Sequence, residues 1–76
     1  MSEPGDRVIP MTPAQLLDFE AQWPRHTGRK ETALIELGVA PARYYVELLR
    51  AATSLEGQQH DPITAHRVLR MARTAA

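Results

Sequence analysis

The basic side chains of this chain are grouped in a way that suggests anion binding. Three stand together around a predicted helix start, two lie seven residues apart in the next helix, and three recur at three-residue spacing near the C-terminus. Guanidinium and ammonium groups contact phosphate oxygens, and an arginine can also donate two hydrogen bonds to a guanine edge. The candidate DNA-contacting residues are Arg25, Arg29, Lys30, Arg43, Arg50, Arg67, Arg70 and Arg73.

The total charge conceals these clusters. Nine basic residues balance nine acidic ones, and a neutral chain argues weakly against nucleic-acid binding because such proteins usually carry a basic excess. The distribution along the chain is uneven. Residues 1–24 carry a charge of −3, residues 25–50 carry +2, residues 51–61 carry −2 and residues 62–76 carry +3. This pattern permits a basic face without requiring one.

The remaining polar residues form no catalytic or metal-binding pattern. The three histidines share no ligand spacing such as i, i+4, and the chain has no cysteine. Neither a Gly-rich phosphate loop nor a credible Ser/His/Asp set is present. We therefore expect no enzyme activity, no catalytic residue, no metal, no cofactor and no small-molecule substrate.

The length allows one small domain, since 76 residues bury only a modest core. No apolar run approaches the roughly 20 residues of a membrane span. The N-terminus also lacks the charged-then-apolar pattern of a secretion signal. We expect a cytoplasmic protein without a membrane partner.

Four helices are predicted to position the basic residues, in an all-α fold. Apolar periodicity and cap signals place them over residues 13–23, 28–37, 41–54 and 62–76. The intervening stretch LEGQQHD, with Gly57, is predicted to be a polar loop. Residues 1–11 contain Gly and two prolines without periodicity, which predicts a flexible, disordered tail before a domain over residues 12–76.

The second and third helices have the spacing of a helix-turn-helix. In the turn, Leu37 is expected to pack inward, Gly38 to take a positive φ, and Val39 to lie between the helices. Tyr44 and Leu48 then follow at core-packing spacing. An unrelated helical hairpin with glycine in its turn is the alternative.

The segments LLDFEAQW, GRKETALIELGV, RYYVELL and DPITAHRVLR resemble an uncharacterised family of short actinobacterial proteins. The family pattern runs LLxFExxWW, KExAIRExFG, SPxRYYQxLNxLL and DPxLVxRLRRLR. The resemblance spans about residues 13–73. It implies a DNA-binding helix-turn-helix similar to region 4 of sigma factors, in a family whose biochemistry is undefined.

Departures from the family pattern weaken the implied DNA contacts. Ala40 stands where a serine caps the third helix, so a hydroxyl that could hold a phosphate is missing. Val46 stands in place of a glutamine that could bond adenine. Pro24 replaces a second tryptophan. Each change favours weak binding.

Several charged residues have a purely structural alternative. Arg43 and Arg50 can pair with Glu47 on the surface of the third helix, at i+4 and i−3 spacing. Glu20 lies at the edge of an apolar stripe and needs a partner. Lys30, Arg43 or a backbone amide could supply it.

Two functions are compatible with these patterns. The preferred one is a DNA-binding or transcription-associated regulator that binds weakly alone and needs a dimer or another protein for useful affinity. The alternative is a protein-interaction module on the same scaffold. In that case Pro41, Val46 and Leu49 would contact RNA polymerase, another transcription protein, a homologous DNA-binding protein, or a second copy in a homodimer.

Overall fold

Five helices make up the described part of the chain, residues 11–75 of this computed structural model. They are α1 (Pro13–Gln22), α2 (Gly28–Glu36), α3 (Pro41–Thr53), α4 (Leu55–His60) and α5 (Pro62–Ala75). The prediction of an all-α domain is confirmed, and residues 11–75 contain no strand. The predicted tail lies outside the described residues except for Met11, which packs against the core.

The first two helices begin at side-chain caps that the sequence predicts. Thr12 Oγ1 accepts a hydrogen bond from the Gln15 amide at 3.1 Å, and Gln15 Oε1 accepts one from the Thr12 amide at 2.9 Å. Thr27 Oγ1 accepts from the Lys30 amide at 3.2 Å. These bonds satisfy amides that a helix start leaves unpaired, so both starting points are locally encoded.

The prediction that LEGQQHD is a loop is wrong, because residues 55–60 form the short helix α4. Ser54 Oγ accepts a hydrogen bond from the Gly57 amide at 3.0 Å and so caps this helix. Gly57 is buried, and a Cβ atom at this position would lie 2.0 Å from the Ala51 carbonyl oxygen. The missing side chain therefore lets α4 approach α3 closely, a tertiary effect that periodicity does not reveal.

The core lies among α1, α3 and α5, with α3 at its centre. The buried apolar residues are Leu16, Leu17, Phe19, Leu34, Val39, Tyr44, Leu48, Ala51, Ala52, Ala65 and Val68. The α2 backbone approaches only that of α3 among the described helices. The core therefore fixes α3 firmly and leaves α2 at the periphery.

The turn between α2 and α3 has the conformation that the sequence predicts. Gly38 has a φ of 81°, and Val39 is buried while its amide donates to the Leu34 carbonyl at 2.9 Å. One expectation for this turn is wrong, since Leu37 is 51% exposed. The buried Val39 and Leu34 close the turn without it. The helix–turn–helix connection is thus present.

Candidate functional site

Six of the eight predicted DNA-contacting side chains are exposed. They are Arg25, Arg29, Arg43, Arg50, Arg70 and Arg73. Two of these, Arg25 and Arg29, flank the start of α2, where helix geometry leaves backbone amides unpaired and the dipole favours anions. Arg29 also lines an open depression of about 620 Å³ beside Trp23 and Thr27. This end of α2 is therefore exposed and cationic.

Lys30 cannot contact a phosphate, so that prediction is wrong. Its side chain is 1% exposed, and its Nζ atom lies 2.6 Å from Glu20 Oε1. The alternative assignment of Lys30 as the partner of Glu20 is confirmed. A sequence signal existed, because Lys30 precedes Leu34 by four residues and so shares the inward face of α2.

A buried hydrogen-bonded trio joins three helices at this point. Tyr44 Oη donates to Glu20 Oε1 at 2.8 Å, the same oxygen that Lys30 contacts. Burial, followed by the bond to Glu20, raises the pKa of Tyr44 far above its ordinary value of 10, so its hydroxyl keeps its proton. Lys30 Nζ also lies 5.2 Å from the centre of the Tyr45 ring. The ammonium group is therefore satisfied inside the protein.

Arg67 also points toward the protein, against its assignment to a solvated basic face. It is half-buried, and its Nη2 atom donates to the Glu20 carbonyl oxygen at 3.2 Å. That carbonyl belongs to the last turn of α1, where helix geometry leaves oxygens unpaired. The buried Arg67 Nε has no hydrogen-bond partner among the described residues. The guanidinium thus caps α1 and is less available to DNA.

On the outward side of α3, the arginines form the surface ion pairs with Glu47 that were the alternative to DNA contact. Arg43 Nε and Arg50 Nη1 each lie 3.3 Å from Glu47 Oε2. Both arginines stay exposed, and exposed ion pairs break at little cost. Val46 and Leu49 are 48% and 41% exposed beside them, whereas Pro41 is half-buried. The face that would contact DNA is therefore part cationic and part apolar.

A family model described as a protein of unknown function (DUF3263) matches residues 10–76. The chain belongs to the DUF3263 family. The resemblance to an uncharacterised family is thereby confirmed over nearly the whole DUF3263 domain. No curated protein and no solved structure matches the chain significantly.

The DUF3263 domain also has an apolar groove that sequence reasoning missed. It lies between α3 and α5, has a volume of about 380 Å³, and is named here the Leu49 groove. Its lining residues are Glu20, His26, Tyr45, Leu48, Leu49, Val68, Met71 and Ala72. Ala72 is exposed and lines the groove from α5.

A polar pair closes one end of the Leu49 groove. Tyr45 Oη and His26 Nδ1 lie 2.7 Å apart and are hydrogen-bonded. Burial, with a smaller effect of the Glu20 charge, raises the pKa of Tyr45 to about 12, so the hydroxyl keeps its proton. His26 precedes α2 and Tyr45 lies in α3, so only the tertiary fold brings them together.

Two further structural observations concern metals and membranes. Within residues 11–75, no three His, Asp or Glu side chains are grouped so that they could hold a metal ion. Over the same residues, no helix has both the length and the apolar character needed to cross a bilayer.

Proposed function

We propose that this DUF3263 protein is a small helix-turn-helix DNA-binding protein of transcription regulation that binds weakly as a single copy. The observation that carries the proposal is the anchoring of α3. Val39, Tyr44 and Leu48 are buried, and the opposite side of α3 is exposed with Arg43 and Arg50 on it. A helix held this way after a glycine turn has the arrangement of a recognition helix.

Phosphate contacts would come chiefly from Arg25 and Arg29 at the start of α2, a position that crosses the DNA backbone in helix-turn-helix proteins. Arg70 and Arg73 on α5 are exposed and could add to them. Arg43 would exchange Glu47 for a guanine edge or a phosphate. Since Lys30 and Arg67 are engaged inside the protein, few cations remain, and binding should be weak and sensitive to salt.

Fluorescence anisotropy with a labelled pool of genomic duplexes at low salt tests this proposal. With four phosphate contacts, the logarithm of the binding constant should fall with the logarithm of salt concentration with a slope of about −4. Arg29→Ala should weaken binding to every sequence and reduce this slope by about 1. Gln59→Ala, on the exposed side of α4, is the matched control and should change neither. An absence of binding at low salt, at concentrations that also permit self-association, would refute DNA binding.

A second candidate function, protein docking, is favoured by the exposed apolar side chains of α3. Val46 and Leu49 stand where a recognition helix usually carries amide or hydroxyl groups. Exposed apolar patches rimmed by polar groups are typical of protein contacts. RNA polymerase or another transcription protein is the expected partner, with a second copy as the alternative. A pull-down with mass spectrometry tests this candidate by identifying proteins that the wild type retains and Leu49→Glu does not. Light scattering tests for self-association.

A further inference from the structure

The floor of the Leu49 groove is apolar and rigid. Leu48 and Val68 form part of it and are 3% and 6% exposed, so they are fixed by the core. Leu49 and Met71 stand on its edges and are 41% and 38% exposed. An occupant of the groove would therefore remove apolar surface from water without rearranging the protein.

The charged residues around this groove are predominantly basic. Arg25, Arg50 and Arg70 are exposed, and each is the chain neighbour of a lining residue. Two of the nearby acids are already paired, because Lys30 binds Glu20 inside the protein and two arginines bind Glu47. Glu31, whose charge acts on Tyr45, is exposed, so exposed arginines still outnumber exposed acids here. The groove therefore complements an occupant that is apolar on one side and acidic at its edges.

The apolar surface continues beyond the groove along α3. A second depression, of about 390 Å³, is lined by Val46, Leu49, Arg50 and Thr53, so it shares Leu49 with the groove. Ala42, Val46, Leu49 and Thr53 are exposed and follow one another at spacings of four, three and four residues. That spacing forms a stripe along one helix face, about 16 Å long at 1.5 Å per residue. A stripe of this length matches about three turns of a partner helix and exceeds a small ligand.

We propose that the Leu49 groove and the adjoining α3 stripe bind an amphipathic helix of another protein, one with acidic residues beside its apolar face. The inference rests on the second candidate function, protein docking, and specifies its partner. The apolar anchors of the helix would contact Leu49 and Met71, and its carboxylates would pair with Arg25 and Arg50. A second copy of this chain fits less well, because α3 and α5 carry arginines beside their exposed apolar residues.

Two labelled peptides of about 18 residues test the proposal by anisotropy. Both carry leucines at alternating three- and four-residue spacing, and their flanking positions hold glutamate in one and lysine in the other. The glutamate peptide should bind the wild type about tenfold or more tightly than the lysine peptide. Leu49→Glu and Met71→Glu should each weaken its binding about tenfold or more. Ile63→Glu places the same charge on an 80% exposed apolar residue outside the groove and should leave binding unchanged.

Circular dichroism of each variant checks that it is folded. Because there are two groove variants, the test can still be made if one of them does not fold. No binding of the glutamate peptide up to about 1 mM, equal binding of both peptides, or unchanged binding to both groove variants would each overturn the proposal. Self-association of the wild type that Leu49→Glu abolishes would identify a second copy as the occupant instead. If the wild type retains proteins that Leu49→Glu does not, but binds neither peptide, protein docking would still be supported. Only the proposal of an acidic helix as the partner would be refuted.

Discussion

The ammonium group of Lys30 lies 2.6 Å from the Glu20 carboxylate in a core that excludes water. Each charge is costly to bury alone, and the two are tolerated because each satisfies the other. Tyr44 supplies a further hydrogen bond to the same oxygen. The backbone of α2 approaches only that of α3, and this pair is a side-chain link from α2 to α1. The trio therefore sets the position of the helix that carries Arg29.

Lys30→Met should destabilise the fold by about 3–5 kcal/mol, because it leaves the Glu20 charge buried without a cation. The double variant Glu20→Gln/Lys30→Met should be clearly more stable than Lys30→Met, since the neutral amide still accepts from Tyr44. Urea unfolding followed by circular dichroism gives both values. A loss below about 1 kcal/mol for Lys30→Met would mean that Glu20 gains water or a proton at little cost.

His60 and Asp18 form an exposed pair that should make stability depend on pH. His60 Nε2 lies 2.7 Å from Asp18 Oδ1, and this hydrogen bond raises the histidine pKa above its ordinary 6.5. The protonated form is thus favoured in the folded state. The stabilisation is fully present below about pH 6.5 and is lost as pH rises through the higher folded-state pKa.

The His60→Gln variant should lose this pH dependence, whereas His66→Gln, an exposed histidine of α5, should keep it. Thermal midpoints from about pH 5 to about pH 8 measure the difference, which should be small because the pair is exposed. Identical curves for His60→Gln and the wild type would show that the pair contributes nothing in solution.

Local sequence signals were sufficient to predict where a helix starts or a turn lies, wherever such signals exist. The Thr12 capping box placed the start of α1, and Gly38 placed the turn, because both depend on residues within one helical turn. Helix α4 lacks an apolar face, so the Ser54 cap alone did not predict a helix there. Gly57 suggested a loop, yet it is needed for close packing on α3.

Gly57→Ala should cost about 1–3 kcal/mol, because its Cβ would lie 2.0 Å from the Ala51 carbonyl oxygen and 3.1 Å from Leu17 Cδ1. Either α4 shifts away from α3 or the backbone distorts. Gly28→Ala is the matched control, since a Cβ there meets nothing within 4 Å, and it should be neutral or add up to about 1 kcal/mol. Urea midpoints of the two variants decide the matter. Equal stability would contradict the packing role of α4.

For the molecule as a whole, the net charge of zero does not show which charges are exposed. Glu20 and Lys30 cancel inside the core, and Glu47 occupies two arginines on α3. The sequence identified most of the exposed cations, because arginines on a solvated face follow helical periodicity. It could not identify the Leu49 groove, since His26, Tyr45 and Met71 come from three separate parts of the chain.

DNA and the acidic helix should compete for this protein, because Arg25 and Arg50 belong to both proposed surfaces. A carboxylate paired with Arg25 removes a phosphate contact, and one paired with Arg50 occupies a cation of the exposed α3 face. Each ligand must weaken the other by the same factor. Titrating the glutamate peptide into labelled DNA and protein should therefore release DNA. With Met71→Glu, which retains every arginine and leaves the exposed face of α3 unchanged, DNA should stay bound at the same peptide concentrations. A stable ternary complex would instead place the two ligands on separate arginines.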